Sequence, residues 1–80
     1  MIIKKIKLRS QSQEDIQKFC HATSGCCYDI DLVSGRYVID AKSILGVFSL
    51  SFEKPVEMYI NVDTEEDCAS LLVQIKQFLC

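Results

Sequence analysis

Apolar residues recur along this chain with two periods, and the switches between them mark its elements. A period of two belongs to strands, and a period near 3.6 belongs to helices. From Ile2 to Leu8, the set Ile2, Ile6 and Leu8 shares one parity with Lys4, while Ile3, Lys5 and Lys7 take the other. This pattern predicts a half-buried strand with lysines on its wet face. Those lysines also guard against stray pairing if the strand lies at a sheet edge. Arg9 to Gln13 is polar and reads as a connection. Ser10 or Ser12 can cap a helix that begins near Gln13, with Glu14 and Asp15 in its first turn. Ile16, Phe19, Cys20 and Thr23 share the inner face of that helix. Gln17, Lys18 and His21 point away, and Ser24-Gly25 ends it.

The period then returns to two. From Cys26 to Val33, Tyr28, Ile30 and Leu32 alternate with Asp29 and Asp31. Ser34-Gly35 is a hairpin signal, and Arg36-Tyr37-Val38-Ile39 is the return strand. A short helix follows Ser43. Ser51 to Lys54 is a connection, and Pro55 cannot sit in a central ladder. Val56, Met58, Ile60 and Val62 alternate with Glu57, Tyr59 and Asn61 in a fourth strand. Asp63 or Thr64 caps the last helix, whose first turn holds Glu65, Glu66 and Asp67 at the positive end of the dipole. Cys68, Leu72, Ile75 and Leu79 form its stripe, widened by Leu71 and Phe78. The order is β-α-β-β-α-β-α, an α+β pattern with one sheet and all helices on one face. A ferredoxin-like sandwich with an extra helix fits the same order.

A length of 80 residues is one domain with a modest core. The net charge of −2 argues against a nucleic-acid footprint. The opening Met1 to Leu8 is too short and interrupted for a signal peptide or a membrane span, so a cytoplasmic protein is expected.

The stretch Asp40-Ala41-Lys42-Ser43-Ile44-Leu45-Gly46-Val47-Phe48-Ser49-Leu50 carries the clearest signal. Ser43 is placed to accept a hydrogen bond from a free N–H of the helix start. At about 100° per residue, Ile44, Leu45, Val47, Phe48 and Leu50 span roughly 220° of the helix, against the roughly 100° stripe that seats a surface helix. Part of the set Ile44, Leu45 and Phe48 is therefore expected to stay exposed as a patch.

The ten residues Ala41 to Leu50 resemble the second helix of HPr, the small phosphocarrier family of the bacterial sugar phosphotransferase system. The whole chain fits that family's element order, with the strong sequence match running from about Asp31 to Ile60. The resemblance selects an HPr-like open-faced β-sandwich, residues 1–80 forming one domain with a four-stranded antiparallel sheet and three helices on one face. It implies a regulatory phosphorylation site at Ser43, as in Gram-positive bacteria, and a protein-docking surface at Ile44, Leu45 and Phe48. The implied partners are an HPr-type serine kinase, a transcriptional regulator or a phosphotransferase component. The plainer readings are that Ser43 is an N-cap alone and that the patch is simple core.

The family's own chemistry needs a histidine, a residue, an arginine and a proline at the start of the first helix. Unpaired N–H groups there hold a phosphoryl group. Counting back without gaps, Ser12 falls at the histidine, Glu14 at the arginine and Asp15 at the proline. Two carboxylates replace the phosphate-holding groups and would repel an anion. His21, the one histidine, lies past Ser12 by roughly 13 Å along a helix, out of reach of that site. Ser12 has no base beside it, and a cap role explains it. No catalytic residue is assigned. The expectation is a non-enzymatic, HPr-like regulatory binding module that cannot carry phosphohistidine, as in the HPr-like corepressor of Gram-positive catabolite control. It needs no cofactor, nucleic acid or membrane, and is a monomer or a weak homodimer through the Phe48 patch.

Two alternatives stay open. One is a phosphocarrier with a non-standard acceptor. The other is a thiol or metal protein built on Cys20, Cys26, Cys27, Cys68 and Cys80. The number of cysteines is odd, and no CxxC occurs. A metal set of Cys20, His21, Cys26 and Cys27 matches no usual zinc spacing, and adjacent cysteines in a strand face opposite ways.

Overall fold

The computed structural model describes residues 1–8 and 13–80. Its elements are β1 (Ile2–Ile6), α1 (Gln13–Ser24), β2 (Ile30–Ser34), β3 (Tyr37–Asp40), α2 (Ile44–Phe48), β4 (Val56–Ile60) and α3 (Ala69–Gln74). A 3-10 turn precedes α3 at Glu65–Cys68, and another follows at Lys76–Phe78. The strands form one antiparallel sheet in the order β1-β4-β2-β3. The proposed caps at Ser10 and Ser12 lie outside the described residues.

Strand alternation sorts the two faces of the sheet. Ile6, Ile30, Leu32, Val56, Met58 and Ile60 are buried beneath the helices. Ile3, Lys5, Asp31 and Val38 stand on the open side. Cross-strand pairing keeps these sets apart, with Ile30 opposite Ile60 and Leu32 opposite Met58. From α1 come Ile16, Phe19, Cys20 and Thr23, the inner face read from the sequence. Phe19 meets Phe78 edge to face, with ring centroids 6.3 Å apart. Each fully buried large apolar side chain is worth about 1.5–3 kcal/mol.

Several boundaries differ from the sequence reading. β1 stops at Ile6, although Leu8 is buried as expected. β2 begins at Ile30 rather than Cys26, because Cys26 still belongs to the end of α1. Its N–H donates to Thr23 O and its Sγ to Ala22 O. The hairpin turn is Gly35-Arg36, since Ser34 pairs with Tyr37, and Gly35 takes a φ of 59°. That left-handed value favours glycine. β4 ends at Ile60, where Val62 N–H folds back onto Ile60 O. The last helix is broken into 3-10, α and 3-10 pieces, and its buried stripe is Cys68, Leu71, Ile75 and Phe78. Leu72 and Leu79, expected inside, are half-buried. The four buried residues keep helical spacing at i, i+3, i+7 and i+10, on the Leu71 and Phe78 side of the expected stripe. Leu79 instead leaves the helix and bridges Ile6 at the outer edge of β1.

The first turn after Thr64 is held by its N–H, which donates to Asp67 Oδ2 at 3.2 Å. Glu65 in that turn also pairs with Lys4 of β1, a surface ion pair worth at most about 1 kcal/mol. A stronger tie is buried. Thr23 Oγ1 lies 2.9 Å from Ala41 O and 3.1 Å from Cys20 O, joining α1 to the segment that leads into α2. Thr23→Val keeps the shape and leaves Ala41 O without this donor. A loss of about 1–3 kcal/mol is expected, read as a lower denaturation midpoint with an unchanged slope.

Candidate functional site

α2 is built by a chain of short-range bonds that starts in β3. Asp40 Oδ1 accepts from Lys42 N–H at 2.8 Å, and Asp40 O accepts from Ser43 N–H at 3.0 Å. This turns the chain out of the sheet. Ser43 is extended (φ −88°, ψ 106°), and its Oγ accepts from Gly46 N–H at 3.3 Å. That is the N-cap geometry read from the sequence. The helix closes after five residues, where Ser49 Oγ donates to Gly46 O at 2.6 Å. Lys42 Nζ donates to Cys26 O at 2.9 Å and fastens the loop after α1.

The seat of α2 is narrow. Val47 is fully buried, and Ala41 just before the helix is too. Gly46 lies so close to β3 that a Cβ built on it would stand 2.5 Å from Ile39 Cγ2. The remaining apolar side chains face outward. Ile44 is 41% exposed, Leu45 80% and Phe48 39%. Ser43 is exposed beside them. The three patch residues and the serine are thus together on one turn of helix. Tyr37 at the start of β3 is also exposed, and sequence reasoning missed it because it fits the strand's period like any inward residue.

The start of α1 holds acids. Glu14 is exposed and pairs with Lys18 one turn on, at 3.0 Å. Asp15 is buried, which its place in a polar run did not signal. A groove of about 590 Å³ passes it, lined among others by Lys7, Phe52, Glu53, Gln77 and Cys80. Phe52 is a core residue standing alone in a polar stretch, so no periodicity marked it. Ser12 lies outside the described residues. His21 is exposed in the last turn of α1, at the opposite end from Glu14 and Asp15.

All five cysteines are free. Cys20 and Cys68 are buried, and burial pushes both thiols above the usual range; Glu65 adds to the effect at Cys68. The Tyr28 hydroxyl is likewise raised, chiefly by desolvation and then by its hydrogen bond with Cys26. Among the described residues, no group of three or more His, Cys, Asp or Glu is arranged to hold a metal ion. In particular, Cys20, His21, Cys26 and Cys27 do not form one, since Cys20 is inside while His21 and Cys27 are outside. No described helix is long and apolar enough to cross a membrane.

No known family profile and no curated protein matches the chain. Solved structures do. The arrangement is an α+β open-faced sandwich with the HPr-like fold. HPr-C-His from Thermoanaerobacter tengcongensis superposes with a TM-score of 0.71 at 22% identity, over 95% of this chain and 90% of that one. Crh of Bacillus subtilis, a catabolite repression containing protein seen as a dimer with a swapping domain, gives 0.62 at 21% identity. That match covers 91% of this chain and 84% of Crh. The fold expected from the Ala41–Leu50 resemblance is therefore the fold observed.

Two outcomes test this geometry. Gly46→Ala gains helix propensity of about 1 kcal/mol but drives a methyl into Ile39, for about 1–3 kcal/mol of overpacking. Net destabilisation and a shifted α2 are expected, seen as a lower melting temperature and altered Val47 methyl resonances. In native protein, a maleimide should label Cys27 and Cys80 ahead of Cys20 and Cys68, with all five reacting once the chain is unfolded.

Proposed function

We propose that this protein is a regulatory HPr-like binding module of the bacterial cytoplasm that recognises protein partners through α2 and does not relay phosphate through histidine. The observation that supports this best is the outward display of Ile44, Leu45 and Phe48 around an exposed Ser43. Apolar side chains held out on a fixed helix favour a docking surface. The likeness to Crh, a catabolite repression containing protein, agrees with a regulatory role.

Ser43 is the switch in this reading. A phosphate on it adds a charge of about −2 beside the patch. It lies at the start of α2, so it favours the helix rather than melting it. The result is a change of partner without a change of fold. The acids Glu14 and Asp15 argue against an anion at the start of α1, and His21 is out of reach of that end. The partner is an HPr-type serine kinase, a transcriptional regulator or a phosphotransferase component.

The test has two parts. Bacterial HPr-serine kinase and ATP should place one phosphate on the wild type and none on Ser43→Ala. A partner purified on the wild type should bind Phe48→Asp and Ile44→Asp at least about tenfold more weakly, a loss of about 1.4 kcal/mol. Incubation with phosphoenolpyruvate and the first enzyme of the phosphotransferase system should leave no acid-labile phosphate. Transfer to His21, or partner binding indifferent to both patch variants, would refute the reading.

A further inference from the structure

The two edges of the sheet are finished differently. At β1, the last residues of the chain cover the second half of the edge. Lys7 N–H donates to Phe78 O at 2.8 Å, and Cys80 N–H donates to Lys5 O at 3.0 Å. Lysines at Lys4, Lys5 and Lys7 add charge there. β3 forms the other edge, and no described strand pairs with its outer side. It carries neither lysine nor proline, and its Tyr37 and Val38 are 70% and 65% exposed. An edge with these features is a template for pairing with another strand.

The free groups on that edge follow from the ladder. Ala41 N–H donates to Ile30 O toward β2. In an antiparallel pair, bonded and non-bonded positions alternate. Ile39 therefore bonds inward to Leu32, while Val38 and Asp40, opposite Val33 and Asp31, turn their N–H groups outward.

We propose that β3 is a self-pairing edge, at which two copies of this chain join antiparallel about a two-fold axis through Val38. The sequence around it is self-complementary. Centred on Val38, Arg36 of each copy faces Asp40 of the other at both ends. Tyr37 faces Ile39 on the helix side, and Val38 faces Val38 on the open side. Moving the centre one residue on, to Ile39, would set Arg36 against Lys42, so charge selects the register. Asp40 spends Oδ1 on Lys42 N–H, which leaves Oδ2 for the arginine. Assembly stops at two copies because the pairing is isologous and uses the open edge of each. This surface is distinct from the α2 patch and does not rest on the regulatory reading.

Sedimentation equilibrium at low salt, over concentrations up to about 1 mM, reads the association directly. The weight-average mass should rise from 9.1 kDa toward twice that value. Arg36 is exposed in the hairpin turn, so Arg36→Glu should leave the circular dichroism unchanged and weaken dimerisation about tenfold or more. Val38→Pro removes an outward N–H and should do the same. Asp40→Arg alone should also be monomeric. An equimolar mixture of Arg36→Glu and Asp40→Arg should dimerise again, because each end then joins opposite charges. A monomer at every concentration overturns the proposal. So does a dimer unmoved by Arg36→Glu and Val38→Pro, as an exchanged segment or a Phe48 contact would give. A mixture that fails to associate overturns the register.

Discussion

Ile39 occupies the space where a side chain on Gly46 would stand, and this contact sets where α2 lies. A helix of five residues cannot hold itself in water, since its nucleus is unfavourable and it gains few bonds. α2 persists because both ends and its underside are fixed from outside. Asp40 and Ser43 organise the entry, Ser49 closes the exit, and Val47 fills the core. Thr23 holds the approach from α1. With the axis so close to β3, the helix has room for one large inward side chain. Ile44, Leu45 and Phe48 are outward as a geometric consequence of that fit.

At the start of α1 the balance of charge disfavours a bound anion. A phosphoryl group needs donors and positive charge. Here the first turn offers Glu14, already engaged by Lys18, and a buried Asp15. Both carboxylates favour the helix dipole by about 0.3–1 kcal/mol each. The same residues that steady the helix thus disfavour an anion at its end.

Much of the architecture was legible in period and punctuation. The parity of β1, β2 and β4, the inner face of α1, the Ser43 cap and the exposure of the α2 patch follow from spacing alone. What escaped depends on backbone winding or on distant neighbours. The 3-10 turns around α3 were not read, and there the core takes Leu71 and Phe78, the widening residues of the expected stripe, while Leu72 and Leu79 are half-buried. β2 starts late because Cys26 donates hydrogen bonds to carbonyls at the end of α1. The groove past Asp15 joins residues from both ends of the chain, so no local window reveals it. The open edge at β3 became visible once strand order placed it outermost.

A domain this small has little core to spare, and the division of labour among its elements reflects that. α1, β2, β4 and the α3 segment supply most of the large buried side chains, whereas α2 supplies Val47 and β3 contributes the half-buried Ile39. Leu45, 80% exposed, can therefore be substituted with little loss of buried area, and surface changes of that kind are usually within about 0.5 kcal/mol, whereas Ile44 and Phe48, 41% and 39% exposed, are partly seated. The elements that supply the least of the core also carry most of the large exposed apolar side chains. Exposed side chains along α2 and β3 are thus separate from the packing of Phe19, Met58 and Phe78. Gly46 is the exception, because there the patch and the core share one contact, and neither can alter without the other.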